Sequence, residues 1–419
     1  MAVLELSRLE EARAQTLALV ADVSDADLER VHSPLMSPLV WDLGHIATFE
    51  DLWLAHRHGG LPLLRADLLE VYDAFETPRS QRGDLPYLHR AAAEEYLAAV
   101  RERVSGLDLR QAEPTAELVV RHERQHAETM LQTLALAALP GWRPPGTPAA
   151  GAEGGSVASG LELIEVSEAS FPLGAAGSGF AYDNEQPCLA VEVEAFAIGR
   201  GPVSNRDWQA FVDDGGYHRR EWWTAEGWEW RSASGAQRPL QWLEDGRERR
   251  LGGIGPLVLD APVVHISYHE AQAFARAREV RLPSEAEWEL AATFDHAAAV
   301  KRAWPWGEDP PTAEEANLIE AAHYAPRPAG ALAAGASPCG ALAMIGDVWE
   351  WTSSEFCAYP GFHAHPYREY SEVFFDGGYR VLRGGSFATS ALVATPTFRN
   401  WDLPERRQIF AGLRVAADR

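Results

Sequence analysis

Val119-Val120-Arg121-His122-Glu123-Arg124-Gln125-His126-Ala127-Glu128, led in by Leu118 and followed by Met130, Leu131 and Leu134, reads as an amphipathic helix. At about 3.6 residues per turn, positions i and i+4 stack on one face, so His122 and His126 can reach a single metal ion. A third candidate ligand, His45, stands far upstream in Ser37-Pro38-Leu39-Val40-Trp41-Asp42-Leu43-Gly44-His45-Ile46-Ala47-Thr48-Phe49-Glu50. That stretch is also predicted to be helical, with its apolar residues turned inward. Three neutral imidazoles from two helices leave one face of a metal open to substrates, which is the layout of an enzyme's metal site.

Other readings of the same residues stay open at this point. Histidines inside helices commonly serve as hydrogen-bonded structural residues. His122-Glu123-x-x-His126 also fits the zinc-protease pattern, in which Glu123 would be the general base. The Gly and His of the extended protease motif are absent after His126, and no downstream segment offers an evident third ligand. Glu123, one residue after His122, points to a different helix face. Asp42 and Glu128 flank the histidines and are read either as acidic partners that orient an imidazole or as solvated helix charges.

The chain of 419 residues is long enough for two or three domains, and 46% hydrophobic with 23% charged residues describes an ordinary globular protein. A formal net charge of −24 argues against nucleic acid or an anionic membrane surface as a general partner. The opening Met1-Ala2-Val3-Leu4-Glu5-Leu6-Ser7-Arg8-Leu9-Glu10 lacks the apolar core of a signal peptide, and no apolar run reaches transmembrane length. A cytoplasmic location is expected. Cys188, Cys339 and Cys357 are odd in number and widely spaced, so buried free thiols are expected in place of disulfides or a zinc–thiolate site.

Residues 1–140 carry Ala, Leu, Glu and Arg at helical spacing, as in Leu6, Leu9, Ala12, Leu17 and Val20 and again over 91–104. They predict a helical bundle, whose interior is a common place for metals held by facing helices. Within it, 61–86 contains Pro62, Pro78, Gly83 and Pro86 and reads as an irregular loop. Pro, Gly and Ala dominate 141–160, which reads as a linker. Over 161–419, glycine and tryptophan become frequent and strands such as 189–198 alternate with turns. Helices are expected at 205–213, 268–278 and 284–292, the last opened by Ser284 three residues before Glu287. The fold class is α+β: a bundle followed by a domain rich in coil.

Particular phrases identify that second domain: Arg281-Leu282-Pro283-Ser284-Glu285-Ala286-Glu287-Trp288-Glu289, Trp304-Pro305-Trp306-Gly307, Gly346-Asp347-Val348-Trp349-Glu350-Trp351-Thr352, Arg383-Gly384-Gly385-Ser386-Phe387 and Ala411-Gly412-Leu413-Arg414. Together they resemble the formylglycine-generating-enzyme (sulfatase-modifying factor) domain, a C-type-lectin-like fold. Formylglycine-generating enzymes use a cysteine pair near the C-terminus. The corresponding Pro396-Thr397-Phe398-Arg399-Asn400-Trp401-Asp402 has none, which excludes that chemistry. The helical region resembles the DinB-like fold. The combination, with Tyr72-Asp73-Ala74-Phe75 and Asp183-Asn184-Glu185, resembles the sulfoxide synthases of ergothioneine biosynthesis over nearly the whole chain.

This resemblance implies a mononuclear nonheme Fe(II) bound by His45, His122 and His126, with O2 as co-substrate. It implies coupling of a thiol to carbon 2 of the hercynine imidazole, leaving a sulfoxide. Arg79, Arg82 and Asp402 correspond to the γ-glutamylcysteine-binding set; guanidinium forks suit the two carboxylates of that dipeptide. On the residues alone, the arginines read as solvated charges of an exposed loop. Gln125, Asn400 and Trp401 correspond to hercynine contacts, an aromatic face suiting its quaternary ammonium. Tyr367 corresponds to the active-site tyrosine that supplies a proton, with Tyr370 as the alternative in a segment of variable length. Rival readings are the cysteine-using reaction, a selenoneine synthase joining a selenosugar to hercynine, an ovothiol-type synthase, the zinc protease, and a noncatalytic lectin-like binding module.

Overall fold

Apolar residues at helical spacing in the first third of the chain close into helices whose buried stripes face one another. The structure, a computed structural model, describes residues 2–146, 161–177, 179–365 and 367–419; residues 147–160 of the expected linker lie outside the described residues. The chain forms two compact units, Met1–Pro145 with Leu251–Gly253, and Gly146–Arg250 with Ile254–Arg419.

The first unit contains α1 (Ala2–Val20), α2 (Asp25–Glu29), α3 (Leu39–Glu50), α4 (Arg90–Ser105) and α5 (Glu113–Ala137). Helix α3 runs on into a π-helical stretch, Asp51–His58. Helix α1 packs on α5, and α3 packs on both α4 and α5. Leu9, Ala12, Leu39, Leu43, Leu97, Val100, Val119 and Leu131 are buried between them. The region read as irregular, 61–86, is held by short 3-10 turns at Ala66–Leu68 and Arg79–Asp84.

At the centre of this bundle lies a set of charges. Arg13 of α1 donates to Glu123 of α5 at 2.9 Å and to Glu50 of α3 at 2.7 Å. Arg101 of α4 donates twice to Glu50, at 2.7 and 2.9 Å. Glu50 is 0% and Glu123 1% exposed. Burial opposes ionisation of Glu50, but Arg101 and Arg13 outweigh it and hold the carboxyl below the ordinary range.

The second unit begins with β1 (Leu163–Val166), β2 (Ala169–Leu173), β3 (Leu189–Val193) and β4 (Phe196–Gly199). The single strand expected over 189–198 is therefore two. Strand β3 pairs with β2, whereas β4 lies between β1 and a later strand; Glu194 and Ala195 carry the chain from one sheet to the other. Next come α6 (Asn205–Asp213), α7 (Ala225–Ser234), the paired β5 (Arg247–Arg250) and β6 (Gly253–Pro256), α8 (Tyr268–Ala277) and α9 (Glu285–Thr293). Helices α6, α8 and α9 open with reciprocal caps, Ser204/Asp207, Ser267/Glu270 and Ser284/Glu287.

The remaining strands are β7 (Phe294–Asp295), β8 (Val300–Lys301), β9 (Trp349–Glu355), β10 (Arg380–Arg383), β11 (Asn400–Asp402), β12 (Ala411–Leu413) and β13 (Ala416–Asp418). The main sheet has the order β11-β10-β9-β12, with β12 parallel to β9; a second has the order β1-β4-β13. Long coil between these elements is held by buried ion pairs. Arg399 makes a two-pronged contact with Glu285 (2.8 and 2.9 Å), Arg383 binds Glu289, and Arg414 binds Glu350. Glu350 also accepts from the Trp288 indole at 2.7 Å.

Cys188, Cys339 and Cys357 are free thiols, but half-buried where full burial was expected. Among the described residues no helix is long and apolar enough to cross a membrane.

Replacing Glu50 with Gln leaves the buried Arg13 and the half-buried Arg101 short of a charge. The expected cost is about 3–5 kcal/mol, read as faster hydrogen exchange of the α1, α3 and α5 amides; unchanged protection would contradict a structural role for the cluster. A second expectation concerns His265, buried at a φ of 64° with its Nδ1 3.0 Å from the Arg407 carbonyl. Burial pushes it down to about 4. Its folded form thus stays neutral where the unfolded form, near 6.5, gains a proton. Stability is unaffected by this group above pH 6.5 and falls as pH drops from about 6.5 to 4, by on the order of 3 kcal/mol. In His265→Asn, where Asn tolerates the positive φ, stability relative to wild type should improve by that amount between pH 7 and pH 4 in denaturant titrations.

Candidate metal centre

Helices α3 and α5 bring the three predicted histidines together. The ligand atoms of His45, His122 and His126 all lie within 4.8 Å of one another, and among the described residues they form the one such group. His45 Nε2 and His122 Nε2 are 3.0 Å apart. Donors at right angles on bonds of about 2.1 Å would be about 3.0 Å apart, so this spacing fits two adjacent positions of an octahedral metal.

The far nitrogens of His45 and His126 are occupied, which fixes the direction of their near ones. His45 Nδ1 donates to the Tyr72 carbonyl at 2.7 Å. His126 Nδ1 is 2.9 Å from Asp42 Oδ1, and Asp42 is 0% exposed. Each contact assigns the proton to Nδ1 and leaves the lone pair on Nε2. Asp42 and His45 are three residues apart on α3, so one helix supplies both a ligand and the group that orients a ligand from α5.

Aromatic packing fixes the ring planes. Phe49 stacks on His122 with centroids 3.7 Å apart, and Trp41 stacks on His45 at 4.9 Å. The Trp41 indole donates to the Val71 carbonyl at 3.0 Å, tying the helix to the loop that carries Tyr72. Gly44 makes this approach possible. A methyl group there would come within 2.1 Å of the Tyr72 ring. Burial, with His126 and Arg82 nearby, holds His45 well below the ordinary histidine range; burial, with His126 and His45, does the same for His122. Both are therefore neutral donors at physiological pH.

Arg82 is buried, contrary to the reading of a solvated loop. It donates to the Thr77 carbonyl (2.9 Å), Ser37 Oγ (2.8 Å) and the Ala74 carbonyl (2.9 Å), and its guanidinium lies 3.8 Å over the Trp41 ring. Arg79 is half-buried at the start of its 3-10 turn, with Nη1 3.5 Å from the Leu35 carbonyl. Gln125 is half-buried and Glu128 buried on α5. Glu123 is held by Arg13 and Arg101 in the bundle interior, so it is not placed as a general base beside the histidines.

In the second unit, Asn400, Trp401 and Asp402 form β11 and are partly exposed. Trp401 stacks on Phe356 at 4.2 Å. Asp402 accepts from the Leu403 amide at 2.8 Å and lies 3.6 Å from Arg406. Asn400 Oδ1 accepts from the Trp401 amide at 2.9 Å. Tyr367 precedes a 3-10 turn, Arg368–Tyr370. Tyr370 is stacked on Tyr182 at 4.4 Å and meets the Trp401 ring edge-on.

Sequence reasoning gave no site role to Gly44, Phe49 or Tyr72. All three lie within quoted phrases, but they act through close packing, which has no sequence pattern of its own.

Comparison with known proteins agrees with this arrangement of modules. Residues 8–130 match the DinB superfamily, and residues 153–419 match the sulfatase-modifying factor enzyme 1-like domain. The chain is 46% identical to the hercynine oxygenase of Mycolicibacterium thermoresistibile, over 99% of this chain and 95% of that one. It is 45% identical to the hercynine oxygenase of Mycobacterium tuberculosis, over 98% and 97%. Identity to the Mycolicibacterium smegmatis hercynine oxygenase is 43%, covering 97% of each chain. A DinB-superfamily module followed by a sulfatase-modifying factor enzyme 1-like domain, alike from end to end, places this chain in the hercynine oxygenase family.

Proposed function

We propose that this chain is an O2-dependent nonheme Fe(II) sulfoxide synthase of ergothioneine biosynthesis, acting in the cytoplasm and joining hercynine to γ-glutamylcysteine. The observation that carries the reading is the convergence of His45, His122 and His126, with the far nitrogens of two of them already held. Relatives named for hercynine oxygenation, alike over nearly their whole length, support the substrate. Bound Fe(II) would supply one-electron chemistry with O2 and a cationic position for a thiolate.

The reaction balances as follows. The hercynine C2–H and the thiol S–H are replaced by a carbon–sulfur bond; one oxygen of O2 becomes the sulfoxide and the other leaves as water. Three neutral imidazoles leave the metal's charge undiminished by its protein ligands, which favours an anionic thiolate over a thiol. A two-histidine, one-carboxylate set would weaken that preference. Glu123, paired with Arg13, argues against hydrolysis by a zinc-protease route.

We assign Arg79, Arg82 and Asp402 to γ-glutamylcysteine. Arg79 takes the direct carboxylate contact, because Arg82 already donates to Thr77, Ser37 and Ala74 and holds the loop behind Trp41. Asp402 complements the ammonium group of the dipeptide. Gln125, Asn400 and Trp401 are assigned to hercynine, with Trp401 offering an aromatic face to the trimethylammonium. Tyr367 is assigned as the proton donor; the stacking of Tyr370 on Tyr182 suits that residue to packing.

The deciding experiment is anaerobic loading with Fe(II), then addition of O2, hercynine and γ-glutamylcysteine, with mass spectrometry of the product. A conjugate carrying the mass of both substrates, less two hydrogens and plus one oxygen, is expected. Iron bound without that conjugate would overturn the assigned donor, and cysteine and a selenosugar would then be compared as donors. Arg79→Ala should raise the KM for γ-glutamylcysteine by about 10–100-fold, as loss of a charge-assisted contact worth about 1.5–3 kcal/mol requires. The KM for hercynine should be unchanged; parallel changes in both would contradict the assignment.

A further inference from the structure

The histidines of the candidate metal centre are not equivalent behind their rings. His45 is backed by a neutral carbonyl, that of Tyr72, whereas His126 is backed by the carboxylate of Asp42 at 2.9 Å. Asp42 is 0% exposed, and its second oxygen, Oδ2, is buried without a hydrogen-bond partner. A buried carboxylate held through a single oxygen, with its other oxygen unpartnered, has hydrogen-bonding capacity to spare for strengthening that one contact. A cation on the far side of that imidazole would make the Nδ1–H a stronger donor to Asp42, and the carboxylate would in return push electron density toward Nε2.

Resting on the proposed three-histidine metal site, we infer that Asp42 is a positioning residue that makes His126 a stronger donor than His45. It thereby sets the affinity for the metal and its preference for the higher oxidation state. Phe49 and Trp41 contribute ring faces, Arg82 brings positive charge behind Trp41, and Glu123 is engaged with Arg13. Asp42 is an anion in hydrogen-bonding contact with a ligand.

The test is Asp42→Asn, which keeps an acceptor oxygen for His126 Nδ1–H and removes the charge. Fe(II) affinity of the full chain, measured anaerobically, should fall by about 10–100-fold. At saturating iron the Fe(III)/Fe(II) midpoint potential should rise, by about 59 mV for each tenfold loss of preference for Fe(III). A folded variant with unchanged affinity and potential would overturn the inference. Wild-type protein gives an independent reading if the variant does not fold. In its Zn(II)-loaded form, the Nδ1 proton of His126 should resonate further downfield than that of His45 in a ¹⁵N-histidine spectrum, and equal shifts would overturn the inference as well. Failure of wild-type protein to bind Fe(II) at all would instead remove the metal site, and this inference with it.

Discussion

Two glutamates buried at the centre of the helical unit constrain everything around them. Glu50 and Glu123 lie on different helices, and each would be too costly to bury alone, yet Arg13 and Arg101 reach them from two more. Removing any one partner leaves a charge in a medium that cannot solvate it. The cluster therefore locks α1, α3, α4 and α5 in a single register. His122 directly precedes Glu123, and His45 lies just over one turn before Glu50. The register that satisfies the ion pairs is thus also the one that turns all three imidazoles toward each other. Had the helices slipped by one residue, the glutamates would lose their partners and the histidines would diverge together.

The chemistry of the centre follows from the way its donors are buried. Imidazoles removed from water and crowded by other cations or imidazoles resist protonation, so they remain available as ligands. Hydrogen bonds at the far nitrogens of His45 and His126 then choose their tautomers, and stacking against Trp41 and Phe49 restricts rotation of His45 and His122. Such a site is preorganised: little side-chain entropy remains to be lost when a metal binds. Donors without charge would leave the charge of a bound cation undiminished by the protein. Asp42 adds negative charge one bond network away, where it strengthens a ligand without occupying a coordination position.

The second unit solves a different problem. Much of it is coil, and coil has no ladder of its own to satisfy buried polar groups. Its recurring phrases provide that order. In Ser284-Glu285-Ala286-Glu287-Trp288-Glu289, Glu285 receives Arg399, Glu287 caps the helix, Trp288 donates to Glu350, and Glu289 receives Arg383 and Lys301. Every polar residue of that phrase is committed to holding the fold. This is why the phrases identify an architecture and say little about a reaction.

The histidine spacing on α5, the helical period of the first third and the Ser284-x-x-Glu287 cap of α9 were all legible in the sequence. Each is a local rule, operating within one turn or one strand. The break of 189–198 into two strands was missed, although its trace is there: the large apolar residues change phase from Leu189, Val191 and Val193 to Phe196 and Ile198, and the pairing partners on either side of Glu194 and Ala195 lie in different sheets. Arg82 looked like a loop charge, since nothing within a few residues reveals that Ser37, Ala74 and Thr77 would enclose it. Asp42 beside His126, Phe49 on His122 and Tyr72 over Gly44 likewise join residues distant in sequence. The sequence alone determined which side chains could bind a metal and which helices would carry them. The tertiary structure decided which atoms of those side chains face one another, because orientation comes from burial, stacking and hydrogen bonds contributed by the rest of the chain.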